Sequence, residues 1–129
     1  DPTFEAKGPG LGYGVKKAAM GIVTHMELAA KSPGASPNVI THANHIETSA
    51  NNTVARCDQI VALAKQVQAA TDAPAAAALI SQLVSLTSQL ATGVDANGDG
   101  KITWEKGEGG LDQVQQHMNL MLAAEGSDR

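Results

Sequence analysis

Acidic and amide side chains alternate in one short stretch of the chain. Asp95, Asn97 and Asp99 occupy every second position, and Gly100 follows them directly. Calcium prefers about six to eight hard oxygen ligands, which a tight loop supplies from alternate residues around a sharp turn at glycine. The spacing therefore predicts a calcium-binding loop.

This stretch resembles the EF-hand calcium loop and, more loosely, the Asp-x-Asp/Asn-x-Asp-Gly loops of exported bacterial proteins. The resemblance implies five ligand residues: Asp95, Asn97, Asp99, Lys101 through its carbonyl, and Thr103. The twelfth position of the loop, where the family has a bidentate glutamate, holds Lys106. We therefore expect Glu105 or Glu108 to supply the missing carboxylate of a structural calcium site.

Three of the four histidines lie at related distances from a predicted turn near Gly34. His25 lies nine residues before that glycine, and His42 and His45 lie eight and eleven residues after it. Because a helix rises about 1.5 Å per residue, an antiparallel hairpin brings all three to nearly the same height. His42 and His45 are also one helical turn apart on one face. The pattern predicts a transition-metal site, for which imidazoles favour copper, zinc or nickel.

The fourth histidine, His117, is followed by Met118, whose thioether would suit copper. Its position depends on the long connection before the last helix. If that connection climbs to the end where His25 lies before the last helix descends, His117 reaches the level of the other three. If the last helix turns back at once, it does not. A simpler interpretation also stands, since histidines on helices often face solvent and methionines often fill cores.

Four helices are predicted from apolar residues spaced three and four apart. The predicted segments are Gly14 to Lys31, Pro37 to about Ala70, Ala75 to Ala91, and Leu111 to about Ala124. Ser36 before Pro37 predicts the start of the second helix, and the segment Thr71-Asp72-Ala73-Pro74 is predicted to end that helix and cap the third. Asn51-Asn52-Thr53 are poor helix formers within the second helix, where they indicate a kink or break.

The composition favours an all-α class. The chain has 129 residues, a net charge of −4 and only 2% aromatic residues, and it contains runs of alanine. We therefore predict one four-helix bundle over residues 1–129, with an irregular lead-in at 1–13 and the calcium loop at 93–110. The lack of a basic stripe argues against nucleic acid as a partner. No apolar run reaches the ~20 residues of a bilayer span.

The expected function follows from these sites. The chain begins at Asp1, as after removal of a signal peptide, so we expect a periplasmic or secreted bacterial protein. In organisation it loosely resembles small exported bacterial helical bundles. The main hypothesis is a calcium-binding bundle that binds or buffers a transition metal through helix histidines. Two alternatives stay open: a calcium-stabilised interaction module without a second metal, and a b-type haem-binding bundle. No acid, base and nucleophile set can be assembled, so an enzyme is not expected.

Overall fold

Helices account for the regular structure of the chain. The computed structural model describes residues 14–126, which form four α-helices and no strand. They are α1 (Val15–Ala30), α2 (Pro37–Ala69), α3 (Ala73–Thr92) and α4 (Leu111–Gly126). The predicted all-helical class and the four segments are confirmed. The predicted lead-in at 1–13 lies outside the described residues.

The ends of α2 and α3 follow their capping residues. The Ser36 side chain accepts a hydrogen bond from the Val39 amide at 3.1 Å, and Pro37 occupies the first turn of α2. The Asp72 carboxylate accepts a hydrogen bond from the Ala75 amide at 2.8 Å. These bonds satisfy amides that have no partner within the helix.

The second helix continues through Asn51-Asn52-Thr53 without the break that these residues indicated. It is 33 residues long, or about 50 Å. The Asn52 side chain is used outside the helix, where it bonds the backbone of the long connection. The Thr53 hydroxyl reaches the carbonyl of Ser49 in its own helix and that of Leu90 in α3. Tertiary contacts therefore outweigh the poor helix propensity of this stretch.

The long α2 helix is the axis around which the other three pack. α1 lies against it as a hairpin, with Lys16 near the far end of the pair bonded to Asp58. α3 returns along the second half of α2, so that the Leu90 carbonyl lies beside Thr53. α4 then runs onward in the same direction along the first half, where the Met121 carbonyl accepts a hydrogen bond from Asn38. α3 and α4 thus follow one another along α2.

The core lies at the level where α1, α2 and α4 meet. Its buried members are Ile46, Ala50, Val114 and Met121. Partly buried apolar residues of the same three helices pack against them: Ile22, Val23, Met26, Val39, Leu111 and Met118. Cys57 is also buried, and burial raises the pKa of its thiol. The apolar stripe of α2 therefore has the packing role that its spacing indicated.

The α3 helix is the least covered of the four. None of its residues is buried, and Ile80 and Val84 are among the exposed large apolar side chains. By length and composition alone, α3 is apolar enough to cross a membrane, a criterion that core helices of soluble proteins also meet. The criterion gives only weak evidence for a span.

Candidate metal centre

Three histidines from two helices converge at one point on α2. His42 and His45 lie one turn apart on α2, and His117 approaches from α4. One ring nitrogen from each lies within 4.8 Å of the others. We call these residues the histidine triad. When the histidine, cysteine, aspartate and glutamate side chains of the described residues are compared, this triad is the group whose ligand atoms lie close enough to hold one metal ion.

The spacing of the triad nitrogens matches that of ligands around one ion. Nδ1 of His117 lies 3.0 Å from Nδ1 of His42 and 3.4 Å from Nδ1 of His45. Two nitrogens bonded to a tetrahedral zinc at about 2.0–2.1 Å are about 3.3–3.4 Å apart. The imidazoles therefore need little movement to bind a shared ion.

The electrostatics of the triad favour uncharged imidazoles, the form that binds metals. Burial lowers the pKa of His45, and the neighbouring His42 lowers it further. Burial also lowers the pKa of His117, with smaller contributions from His45 and His42. Both rings are therefore neutral at pH 7 and can present a lone pair.

The lowered pKa values predict a pH dependence of the metal-free protein. His45 and His117 bind protons more weakly in the folded chain than in the unfolded chain, where histidine titrates near 6.5. The folded chain is therefore most stable above about pH 6.5, where both imidazoles are neutral in the folded and the unfolded chain. As the pH falls below that value, the unfolded chain binds protons first, and the free energy of unfolding decreases until the lower folded pKa values are reached. Urea unfolding of chelator-treated protein between about pH 5 and 7 should show this loss.

The control for this pH prediction replaces two histidines by glutamine. His45→Gln combined with His117→Gln should flatten the dependence over the same pH range, whereas His25→Gln should leave it unchanged. A wild-type free energy of unfolding that stays constant across this range would contradict the pKa assignments.

Trp104, from the long connection, covers one side of the triad. Its indole ring stacks on the imidazole of His45, with ring centroids 3.9 Å apart and an angle of 13° between the planes. The stack restricts rotation of the His45 ring. The connection that carries the predicted calcium loop therefore contacts a predicted ligand of the second metal directly.

Polar residues of α2 hold the connection in this position. Arg56 is 5% exposed and donates hydrogen bonds of 2.6–2.8 Å to the carbonyls of Gly107, Glu108 and Gly109. The Asn52 side-chain amide donates to the Glu105 carbonyl, and its oxygen accepts from the Gly107 amide, both at 2.8 Å. These side chains replace water for a backbone that has no helix or sheet partner.

The glycines of the connection allow this close approach. A Cβ atom on Gly93, whose φ is 76°, would lie 2.3 Å from the Glu108 carbonyl oxygen. One on Gly110 would lie 2.5 Å from the Ala91 carbonyl oxygen. Larger residues at these two positions would collide with the backbone of the connection itself and with the end of α3.

The predicted calcium loop has its aspartates and asparagine turned towards its own backbone. Oδ1 of Asp95 accepts hydrogen bonds from the amides of Gly98 and Asp99, and its Oδ2 accepts one from Gly100 at 2.9 Å. Asn97 and Asp99 each accept a hydrogen bond from the amide two residues on. The chain thus wraps around Asp95, as the predicted turn at Gly100 requires.

The two candidate glutamates differ in position. Glu105 is exposed, and its carbonyl is bound to Asn52. Glu108 is 2% exposed, and its Oε2 accepts hydrogen bonds from the Thr103 amide at 3.0 Å and hydroxyl at 2.7 Å. Its Oε1 receives no hydrogen bond from the described residues. Glu108 is therefore the better placed of the two, while Lys101 is exposed with its amide bound to Asp99.

The loop carboxylates are less closely grouped than the histidines. Within residues 14–126 they do not form a set of three within 4.8 Å of one another. Oxygens on opposite sides of a calcium ion lie about 5 Å apart, because each Ca–O bond is about 2.3–2.6 Å. The calcium site therefore stays a prediction from the sequence motif.

His25 lies outside the triad, and it shares a groove with Met118. His25 is exposed and lines a groove of about 480 Å³ between α1 and α4, together with Met26, Val114 and Met118. The structure groups His42 and His45 with His117 and not with His25, which was predicted to join them. Equal height along a hairpin does not fix the direction in which a side chain points, and His25 faces the groove.

Comparison with known proteins gives no relative from which a function could be transferred. No family model, curated protein or solved structure matches this chain. The function of the chain is therefore inferred from its own geometry.

Proposed function

We propose that this chain is an exported, calcium-stabilised helical bundle that binds or buffers a transition metal ion through His42, His45 and His117. One observation carries the proposal: ring nitrogens from two helices, 72 and 75 residues apart in sequence, lie 3.4 and 3.0 Å from one another. Imidazoles that close together in a partly buried position have the spacing and chemistry of metal ligands.

The ligand set indicates the class of metal. Three imidazoles suit zinc, copper(II) or nickel(II), and no thiolate belongs to the described group. The triad residues are half-buried rather than enclosed, so an ion can enter and leave. This arrangement fits reversible binding or buffering better than permanent structural zinc, which usually has four protein ligands.

The calcium part of the proposal is supported by the loop conformation. Asp95 organises the turn through three backbone amides, and Glu108 is buried with one carboxylate oxygen left for an ion. A divalent cation would neutralise the negative charge that Asp95, Asp99 and Glu108 give to this loop. We therefore assign the ion a stabilising role, with Asp95, Asn97, Asp99, Thr103 and Glu108 near it.

A zinc titration of stripped protein tests the proposed function. Protein freed of metal by chelating resin competes with a chromophoric zinc chelator, in buffer containing calcium. The proposal predicts one equivalent of zinc bound per chain. Failure to compete with a chelator of micromolar affinity, for zinc, copper(II) and nickel(II) alike, would reject it.

Calcium should stabilise the fold through the loop. For protein free of transition metal, calcium at about 100 times its dissociation constant should add about 2.7 kcal/mol to the free energy of unfolding. Asp99→Ala should remove most of this gain, because a carboxylate ligand is lost. Thermal melts in calcium and in chelator measure the difference.

The matched control for Asp99→Ala is Asp112→Ala, which removes an exposed carboxylate from the first turn of α4. Asp112→Ala should change the melting temperature equally in calcium and in chelator. Equal effects of Asp99→Ala in the two conditions would show that the loop holds no stabilising ion.

A further inference from the structure

Trp104 is the one tryptophan of the chain, and it belongs to both candidate sites. Its backbone lies in the predicted calcium loop, and its ring stacks on the triad residue His45 at 3.9 Å. The stacked pair is nearly parallel, with 13° between the ring planes. A displacement of the Trp104 backbone therefore changes the surroundings of His45 directly.

Hydrogen bonds fix the backbone on both sides of Trp104. Before it, the Thr103 amide and hydroxyl donate to the carboxylate of Glu108, a candidate calcium ligand. After it, the Glu105 carbonyl accepts a hydrogen bond from Asn52 of α2. The Trp104 carbonyl itself accepts a long hydrogen bond of 3.5 Å from Ser49. Closure of the loop around Glu108 thus determines where the indole lies.

We propose that Trp104 is a positioning residue for His45, and that calcium in the loop raises the transition-metal affinity of the triad by holding Trp104 on that ring. The proposal rests on the proposed function of both sites. A ligand ring that is already held loses less conformational freedom when the ion binds, so the ion binds more tightly. The loop carries this effect because Thr103 is bonded to Glu108, a candidate calcium ligand, and the next residue, Trp104, stacks on His45.

The size of the effect follows from general coupling strengths. Coupled sites in proteins typically change one another's affinity by about 5- to 150-fold. For one stacked ring we expect zinc to bind on the order of tenfold more tightly in calcium than without it. Linkage requires that zinc tighten calcium binding by the same factor.

The experiment measures the zinc affinity of four proteins with and without calcium: wild type, Trp104→Leu, Trp104→Phe and Asp99→Ala. Calcium is removed beforehand by chelating resin, since a soluble calcium chelator would also bind zinc. Competition with a zinc-selective chromophore gives the affinity without relying on tryptophan fluorescence. The ratio of the affinities in the two conditions is the quantity compared.

The expected ratio is about ten for wild type and close to one for Trp104→Leu, which keeps both ligand sets. Trp104→Phe retains an aromatic ring that can stack on His45, so its ratio should lie between those of wild type and Trp104→Leu. If the side chain only filled space, the stacking ring would give no such advantage over leucine. Asp99→Ala should show a ratio near one and the calcium-free affinity of wild type. In wild type, zinc should raise calcium affinity by the same factor.

Equal zinc affinity of wild type with and without calcium, while both ions bind, overturns this inference and leaves the proposed function intact. An undiminished ratio in Trp104→Leu also overturns it, because the coupling would then bypass the indole. Failure of wild type to bind zinc, copper(II) and nickel(II) alike would overturn the proposed function together with the inference.

Discussion

Replacing His117 with alanine should weaken zinc binding by more than 100-fold, whereas replacing His25 should leave it unchanged. His117 supplies the nitrogen that lies within 3.4 Å of both α2 histidines, so its loss leaves two ligands on one helix. Loss of a residue that hydrogen-bonds to a metal ligand typically weakens metal binding by about 10- to 100-fold, and loss of the ligand itself should weaken it more. His42→Ala combined with His45→Ala should abolish stoichiometric binding.

His25 provides a matched control for this experiment. It is an exposed histidine on a neighbouring helix, outside the triad, so His25→Ala removes the same side chain without touching the centre. Competition titrations of the variants with zinc and with copper(II) give the affinities. Equal weakening by His25→Ala and His117→Ala would show that the ion binds to surface histidines without a defined site.

Replacing Arg56 with methionine should lower the free energy of unfolding by about 3 kcal/mol or more. The buried guanidinium donates to three consecutive carbonyls, and methionine cannot replace those donors. Each buried polar group left without a partner costs about 1–3 kcal/mol, which the similar volume of methionine offsets only in part. Urea unfolding followed by circular dichroism measures the loss.

The control for Arg56→Met is Lys31→Met, which removes a cation from an exposed pair with Glu27. Exposed ion pairs contribute only about 0–1 kcal/mol, so this variant should unfold almost as wild type does. A near-wild-type stability of Arg56→Met would mean that the connection does not depend on α2 for its position.

Local patterns in the sequence were enough to predict the helices and the first two triad members. Ser36 and Asp72 mark helix starts because each offers an oxygen to an unpaired amide. The one-turn spacing of His42 and His45 depends only on helix geometry, so it survives any arrangement of the other helices. Predictions of this kind need no knowledge of the fold.

The position of His117 required the path of the long connection, which local patterns do not determine. The sequence offered two paths, one climbing before α4 and one turning back. The structure shows a third, in which α4 continues in the direction of α3 along the unused first half of α2. Because α3 has 20 residues and α2 has 33, that half of α2 was available to a further helix.

The polar face of α2 was the main feature that the sequence analysis missed. Ser49, Asn52 and Arg56 continue the spacing of His45 along one face of the helix. No partner for this face was predicted from the sequence, yet all three residues are buried beneath the connection. The sequence did contain a signal for this buried contact: a helical row of polar residues that includes an arginine, and a glycine-rich segment elsewhere in the chain that could pack against it.

X-ray absorption at the zinc edge of the loaded protein tests the central claim most directly, because it reports the atoms bonded to the ion. The claim predicts three imidazole nitrogens at about 2.0 Å, with the multiple-scattering pattern of histidine rings and no sulfur neighbour. One or no imidazole, or a shell made only of oxygen atoms, would contradict it.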